Sequence, residues 1–315
     1  MTSLTTALDE YLGVRQGLGV RIRVPAGLLR GFVAFLTRAG QEVITRELAM
    51  QWAMAPQHAQ PATWAWRLGI VRQFARWRQA TDPRTEVPPV GLLPHRFRRP
   101  RPHLYTEAEI RALLVAAHTL ASARGLRGLT YATVFGLVAV TGLRISEALA
   151  LDDADVALDH DLLTIRRTKF GKSRIVPVHR STTDALRQYA DARDRLLHRR
   201  PTSAFFVSER GTRLRGDNTR HTFVLVSRRA GLRALTTGTR HGHGPRLHDM
   251  RHRFAASTLV AWYRAGKDVE RELPKLATYL GHVHVNDTYW YLEAVPELLQ
   301  LAAARGAGAS EEGLR

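Results

Sequence analysis

The sequence predicts a mainly α-helical protein of two domains, with one small β-sheet or hairpin in the second. Three observations predict it. Apolar residues recur at three- and four-residue spacing through residues 1 to about 80, as on helices with one buried face. Six prolines fall within residues 81–105, a density that suits an extended connection better than a core element. Beyond it, two β-rich arms flank a glycine-containing turn among long apolar segments of helical character.

Taken in order, "LLRGFVAFLTRAG" and "TWAWRLGIVRQFARWRQA" are the clearest helices of the first domain. Arg67, Arg72, Arg76 and Arg78 fill the other faces of the second, which predicts a cationic surface suited to DNA phosphates. The connection "TDPRTEVPPVGLLPHRFRRPRPHLY" carries a run of Arg and His that could follow a phosphate backbone. "TEAE" at 106–109 is a Thr-x-x-Glu capping box and opens a helix. "TYATVFGLVAVTGLRISEALAL" reads as one long apolar helical stretch, bent or interrupted at Thr141-Gly142. In "HDLLTIRRTKFGKSRIVPVH" the arms "LLTIRR" and "SRIVPVH" predict a β-hairpin around "TKFGK". "SAFFVSERG" suggests a further short strand, and helices resume at about 217.

Composition narrows the chemistry. The 315 residues contain no cysteine, which excludes disulfides, thiolate catalysis and Cys-based metal sites. No apolar run reaches the ~20 residues that span a bilayer, so no membrane role is expected. "MTSLTTALDEYLGVRQG" lacks the basic-then-apolar pattern of a secretion signal, and a cytoplasmic, nucleoid-associated location is the default. Lys+Arg is 47 against 28 Asp+Glu, a formal net charge of +19, which points to an anionic partner with nucleic acid foremost. A GC-rich genome explains why only Lys169, Lys172, Lys267 and Lys275 are lysine, but not the shortage of acids.

Several polar groups stand out in the second half. Arg144 follows a Thr-Gly turn in "TGLRISEAL", where a buried arginine needs a partner, and Glu147 one helical turn on can supply it. "RLHDMRHRF" places His248 and Arg251 on one helix face. His282 follows Gly281 at an expected helix end. Lys169 and Lys172 bracket the hairpin turn. "LGHVHVNDTYWYLEA" holds Tyr289 and Tyr291, which on a helix point to nearly opposite sides. His241, His243, His248 and His252 could suggest a metal site, but "HGHG" lacks nearby carboxylate or thiolate ligands, which argues against it.

Together and in this order these segments resemble the tyrosine recombinases of the phage-integrase family. "TGLRISEALAL" is similar to the family's first arginine box and "HDMRHRFA" to its His-x-x-Arg-His box. "LGHVHVNDTYWY" resembles the segment in which the nucleophilic tyrosine lies nine residues after the histidine, which selects Tyr291 over Tyr289. "TKFGKSRIVPV" resembles the catalytic-lysine turn, whose lysine precedes the glycine, which selects Lys169. The resemblance implies a two-domain DNA clamp: a helical core-site DNA-binding domain over 1–81, a linker over 82–105, a catalytic domain over 106–304 and a disordered tail over 305–315. It also implies double-stranded DNA with specific core sites as partner, and self-association to a tetramer on paired sites. Neither cofactor nor metal is implied.

The implied roles suit the residue types. Tyr291 attacks the scissile phosphodiester. Arg144 and Arg251 hold its non-bridging oxygens with forked, charge-assisted hydrogen bonds. Lys169 protonates the leaving 5′ oxygen, His248 helps move the tyrosine proton, and His282 donates to a phosphate oxygen. Tyr289 is left as a packing residue and Glu147 as a support for Arg144. "TTGTRHGHGPRLHDM" is longer and richer in Gly and His than the family's usual approach, and reads as a DNA-contacting loop or a spacer. The helix "VPELLQLAAA" is apolar on one side, as is the family's C-terminal docking helix. The spelling "DTYWYLEAVPELL" is similar to integrases of mobile elements. A type IB topoisomerase-like relaxase and a catalytically silent DNA-binding accessory protein stay open as alternatives.

Overall fold

The computed structural model describes residues 2–20, 23–93, 102–166, 173–198, 200–234, 244–282 and Thr288. The chain forms two compact units, residues 1–100 and 101–315.

Among the described residues the first unit holds four helices: α1 (Leu4–Gly17), α2 (Arg23–Arg38), α3 (Arg46–Met54) and α4 (Pro61–Gln79). The Ser3 and Thr45 hydroxyls cap α1 and α3, and Pro61 opens α4, where its missing N–H costs nothing. The helices bury Leu8, Leu29, Phe32, Leu36, Ile44 and Phe74. The cationic face expected on α4 is mostly turned to the protein. Arg67 donates to the carbonyls of Trp52 and Ala53 and lies 3.8 Å over the Trp52 ring. Arg72 donates to the Pro88 and Pro89 carbonyls, and Arg78 is buried on Asp82 and the Thr2 carbonyl. Arg76 alone of the four is exposed. An arginine on a helix reaches far enough to satisfy carbonyls of neighbouring segments, and here three do. The proline-rich stretch is partly structural for the same reason. Asp82 and Thr85 are buried, and Val87, Leu92 and Leu93 pack on this core.

The second unit opens on α5 (Glu107–His118), with the capping box of Thr106 and Glu109 formed in full. Then come α6 (Leu126–Thr141), α7 (Ile145–Ala150), β1 (Val156–Ala157), β2 (Leu162–Ile165), β3 (Arg174–Pro177), α8 (Arg180–Leu196), α9 (Gly216–Arg229), α10 (Asp249–Arg264) and α11 (Val269–Leu280). Helix α6 is apolar nearly all round, so it is buried at the centre, with α5, α8 and α10 packed on it. Phe135 on α6 meets Phe223 of α9 edge-to-face at 5.4 Å. The sheet is antiparallel in the order β1-β2-β3, and Ile165 pairs with Arg174 where the hairpin opens toward its turn. "SAFFVSERG" makes two isolated bridges, Asp152 with Ala204 and Val207 with Arg213, in place of the expected strand. Ala204, Phe205, Phe206 and Val207 are all buried, and Phe205 and Phe206 pack against Tyr189, so this apolar run fills the core. No described helix is long and apolar enough to cross a membrane.

Candidate active site

The site grows from two glycine turns. Helix α6 stops at Thr141, whose hydroxyl donates to the Leu137 carbonyl and accepts from the Leu143 amide. Gly142 follows at φ +63°, and a Cβ there would stand 2.6 Å from the Phe254 ring. The reversal puts Arg144 at the N-cap of α7, where its amide donates to Glu147 Oε2 (3.1 Å) and its Nη1 to Glu147 Oε1 (2.8 Å). This is the i,i+3 pair expected from "RISE". Helix α11 ends at Gly281, at φ +70°. A Cβ on Gly281 would fall 2.6 Å from Nη1 of Arg174, so the turn is shaped around that guanidinium.

Three arginines converge on the last carbonyls of α11. Arg174 Nε donates to Tyr279 O (2.8 Å), Arg251 Nη2 to Leu280 O (2.7 Å) and Arg144 Nη2 to Gly281 O (3.1 Å). Carbonyls at a helix C-terminus lack intrahelical partners and carry the negative end of the dipole, so they are natural seats for cations. Arg251 also donates to Gly142 O (2.8 Å), which ties the two turns together. Arg174 completes the set with a fork onto Glu147, at 2.8 and 3.2 Å.

Two of these guanidiniums, Arg144 and Arg174, thus meet one carboxylate. Burial alone would raise the Glu147 carboxyl, but hydrogen bonds and charge from Arg174 and Arg144 outweigh it and hold the group below the ordinary carboxylate range. Burial, then the charge of Arg251, lowers His248 below the ordinary imidazole value, which favours the neutral ring. It meets His252 edge-to-face at 4.8 Å. His282 Nδ1 lies 2.8 Å from the hydroxyl of buried Thr288. A hydroxyl that donates to Nδ1 leaves the ring proton on Nε2, the tautomer that can donate to a phosphate oxygen.

Of the residues singled out in the sequence, Arg144, Arg251, His248 and His282 come together around the end of α11. Arg144 keeps 31% of its side chain exposed, whereas Arg251 is 1% exposed. Arg174 was not anticipated; its sequence signal is an arginine heading a β arm just after a Gly-Lys turn. Lys169, Lys172, Tyr289, Tyr291, His241 and His243 lie outside the described residues, as do the segment "VPELLQLAAA" and residues 305–315. The strands on either side of residues 167–172 pair at Ile165 and Arg174, and Arg174 meets Glu147.

A model of the phage integrase family matches residues 104–297, more than half of the chain and every member of this cluster. The chain belongs to the phage integrase family. This recombinase is 49% identical over 309 residues to a protein named as an integrase/recombinase, y4rB, of Sinorhizobium fredii, covering 97% of each chain. It is 30% identical over 242 residues to the tyrosine recombinase XerD of Ralstonia nicotianae, covering 76% of this chain and 71% of that one. Its fold is similar to that of a lambda integrase tetramer bound to a Holliday junction. That match has a TM-score of 0.63 and 16% identity, over 92% of this chain and 77% of the other. The mainly α fold with a small sheet and the tyrosine-recombinase reading of the sequence therefore both hold for this recombinase.

Proposed function

We propose that this recombinase cuts and rejoins double-stranded DNA at specific core sites through a 3′-phosphotyrosine link, as a tetramer on paired sites, with Tyr291 as nucleophile. The observation that carries the reading is the convergence of Arg144, Arg174 and Arg251 at one helix end, with Glu147 shared between Arg144 and Arg174 and with His248 and His282 beside them. A cluster with surplus positive charge and forked donors suits a phosphodiester whose non-bridging oxygens gain charge in the transition state.

Tyr291 Oη forms the new bond to phosphorus as the bond to the 5′ oxygen breaks. The tyrosine proton passes toward neutral His248, and Lys169 gives a proton to the departing 5′ oxygen. Arg144, Arg251 and His282 stabilise the phosphate through the exchange. The phosphodiester bond is conserved in the tyrosine ester, so the 5′ hydroxyl of another strand can reverse the step.

A nicked core-site duplex tests this. The short 5′ fragment diffuses away after cleavage and strands the protein on DNA, so a covalent adduct accumulates. It should form equally well in EDTA. A chelator-sensitive reaction, or none on any site recovered from DNA bound to the protein, contradicts the reading. Binding should be dominated by phosphates: neutralising ~8 of them costs on the order of a thousandfold or more in affinity between 50 and 200 mM salt. Fluorescence anisotropy measures this, and a nearly flat salt dependence contradicts it.

A further inference from the structure

We propose that Arg174 is a positioning residue of the recombination site: it ties β3, α7 and the end of α11 into one unit and balances Glu147, so that Arg144 keeps its charge for the phosphate. The inference rests on the active-site reading above.

The geometry is specific. One guanidinium engages both oxygens of Glu147 and, through Nε, the Tyr279 carbonyl, with only 10% of the side chain exposed. These three partners belong to the two segments that hold Arg144 and His282. Arg174 itself stands at the head of the strand that follows the lysine turn. One side chain therefore sets the spacing between β3, the helix that carries Arg144 and the α11 turn. A lysine cannot do this, because an ammonium is a single point and lacks the planar fork that spans a carboxylate.

The charge balance leads to the same conclusion. Glu147 is shared between Arg144 and Arg174. With Arg174 in place, its negative charge is matched and Arg144 remains a net cation facing outward. Without Arg174, Arg144 is left, among the described residues, as the ion-pair partner of a buried carboxylate. Arg144 is then drawn inward, and its pull on a phosphate is cancelled. Burial of the pair strengthens this coupling relative to water.

The test compares wild type, Arg174→Ala, Arg174→Lys and Tyr291→Phe on the nicked duplex, measuring single-turnover cleavage, DNA affinity and melting temperature on the full chain. Arg174→Ala should cleave about a hundredfold more slowly, the loss expected when reacting groups shift by ~1 Å. Its DNA affinity should stay within about threefold, since the phosphate contacts along the duplex are many. Guanidinium chloride at low millimolar concentration should restore part of the rate, where equal sodium chloride does not. Should Arg174→Ala fail to fold, Arg174→Lys carries the test, with an expected loss of about tenfold at unchanged affinity, by the fork argument. Either folded variant cleaving at the wild-type rate overturns the proposal. So does a loss of cleavage that only follows lost DNA binding or lost folding in Arg174→Lys. An adduct that persists in Tyr291→Phe overturns the active-site reading and this inference with it, whereas a normal Tyr291→Phe result beside fully active Arg174 variants removes Arg174 alone.

Discussion

Lys169→Ala should cleave ordinary core-site DNA about a hundredfold to ten-thousandfold more slowly than wild type, the range that general acid catalysis supplies. It should cleave DNA carrying sulfur at the bridging 5′ position at close to the wild-type rate. An alkoxide leaves poorly and needs a proton in the transition state, whereas a thiol ionises near pKa ~8.5 and departs as the anion. Lys172→Ala should show no selective rescue. A lysine that merely touches phosphate would slow both substrates alike, and that pattern for Lys169 would remove it as the acid. The strand that follows the lysine-bearing segment is pinned at Arg174 to Glu147 and the Tyr279 carbonyl.

Glu147→Ala should destabilise the second unit by about 3–5 kcal/mol, the cost of removing one partner from a buried ion pair. The carboxylate is 6% exposed and Arg174 is 10% exposed, and removing the carboxylate takes a counter-charge from both Arg174 and Arg144. Glu147→Ala also removes the acceptor for the Arg144 amide that caps α7. Chemical denaturation at neutral pH measures the loss; less than about 1 kcal/mol would show that the arginines are satisfied without Glu147, by the range for ordinary hydrogen bonds. The pH dependence has a definite sign. The folded-state pKa of Glu147 lies below its ordinary value, so its contribution is fully present above the ordinary carboxylate range. It fades as pH falls through the lowered folded-state value. The gap between wild type and Glu147→Ala should therefore close on the acid side and stay constant from pH 6 to 8.

Much of this was legible in the sequence where the signal is local. The capping box at 106–109, the break at Thr141-Gly142, the hairpin arms and the Arg144–Glu147 pair each depend on residues a few positions apart. Helix α8 was passed over because its buried face includes Thr183 and Arg193, which blur the apolar period. Strand β1 has two residues, too few to show alternation. The inward turn of Arg67, Arg72 and Arg78 was hidden because a helical arginine reads the same whether it meets water or a carbonyl. Arg174 was hidden for a related reason: Glu147 lies 27 residues away and Tyr279 lies 105 away. Long-range partners of a long side chain leave no periodic trace.

The central claim is that Tyr291 carries the DNA, and one measurement tests it directly. Adduct formed on the nicked core-site duplex is digested with protease and nuclease, and the peptide bearing the nucleotide remnant is sequenced by mass spectrometry, for wild type and for the Tyr289→Phe and Tyr291→Phe variants. The remnant should sit on Tyr291 in wild type and in Tyr289→Phe, and Tyr291→Phe should bind DNA normally yet form no adduct. A remnant on Tyr289, or an adduct that survives in Tyr291→Phe, would contradict the account.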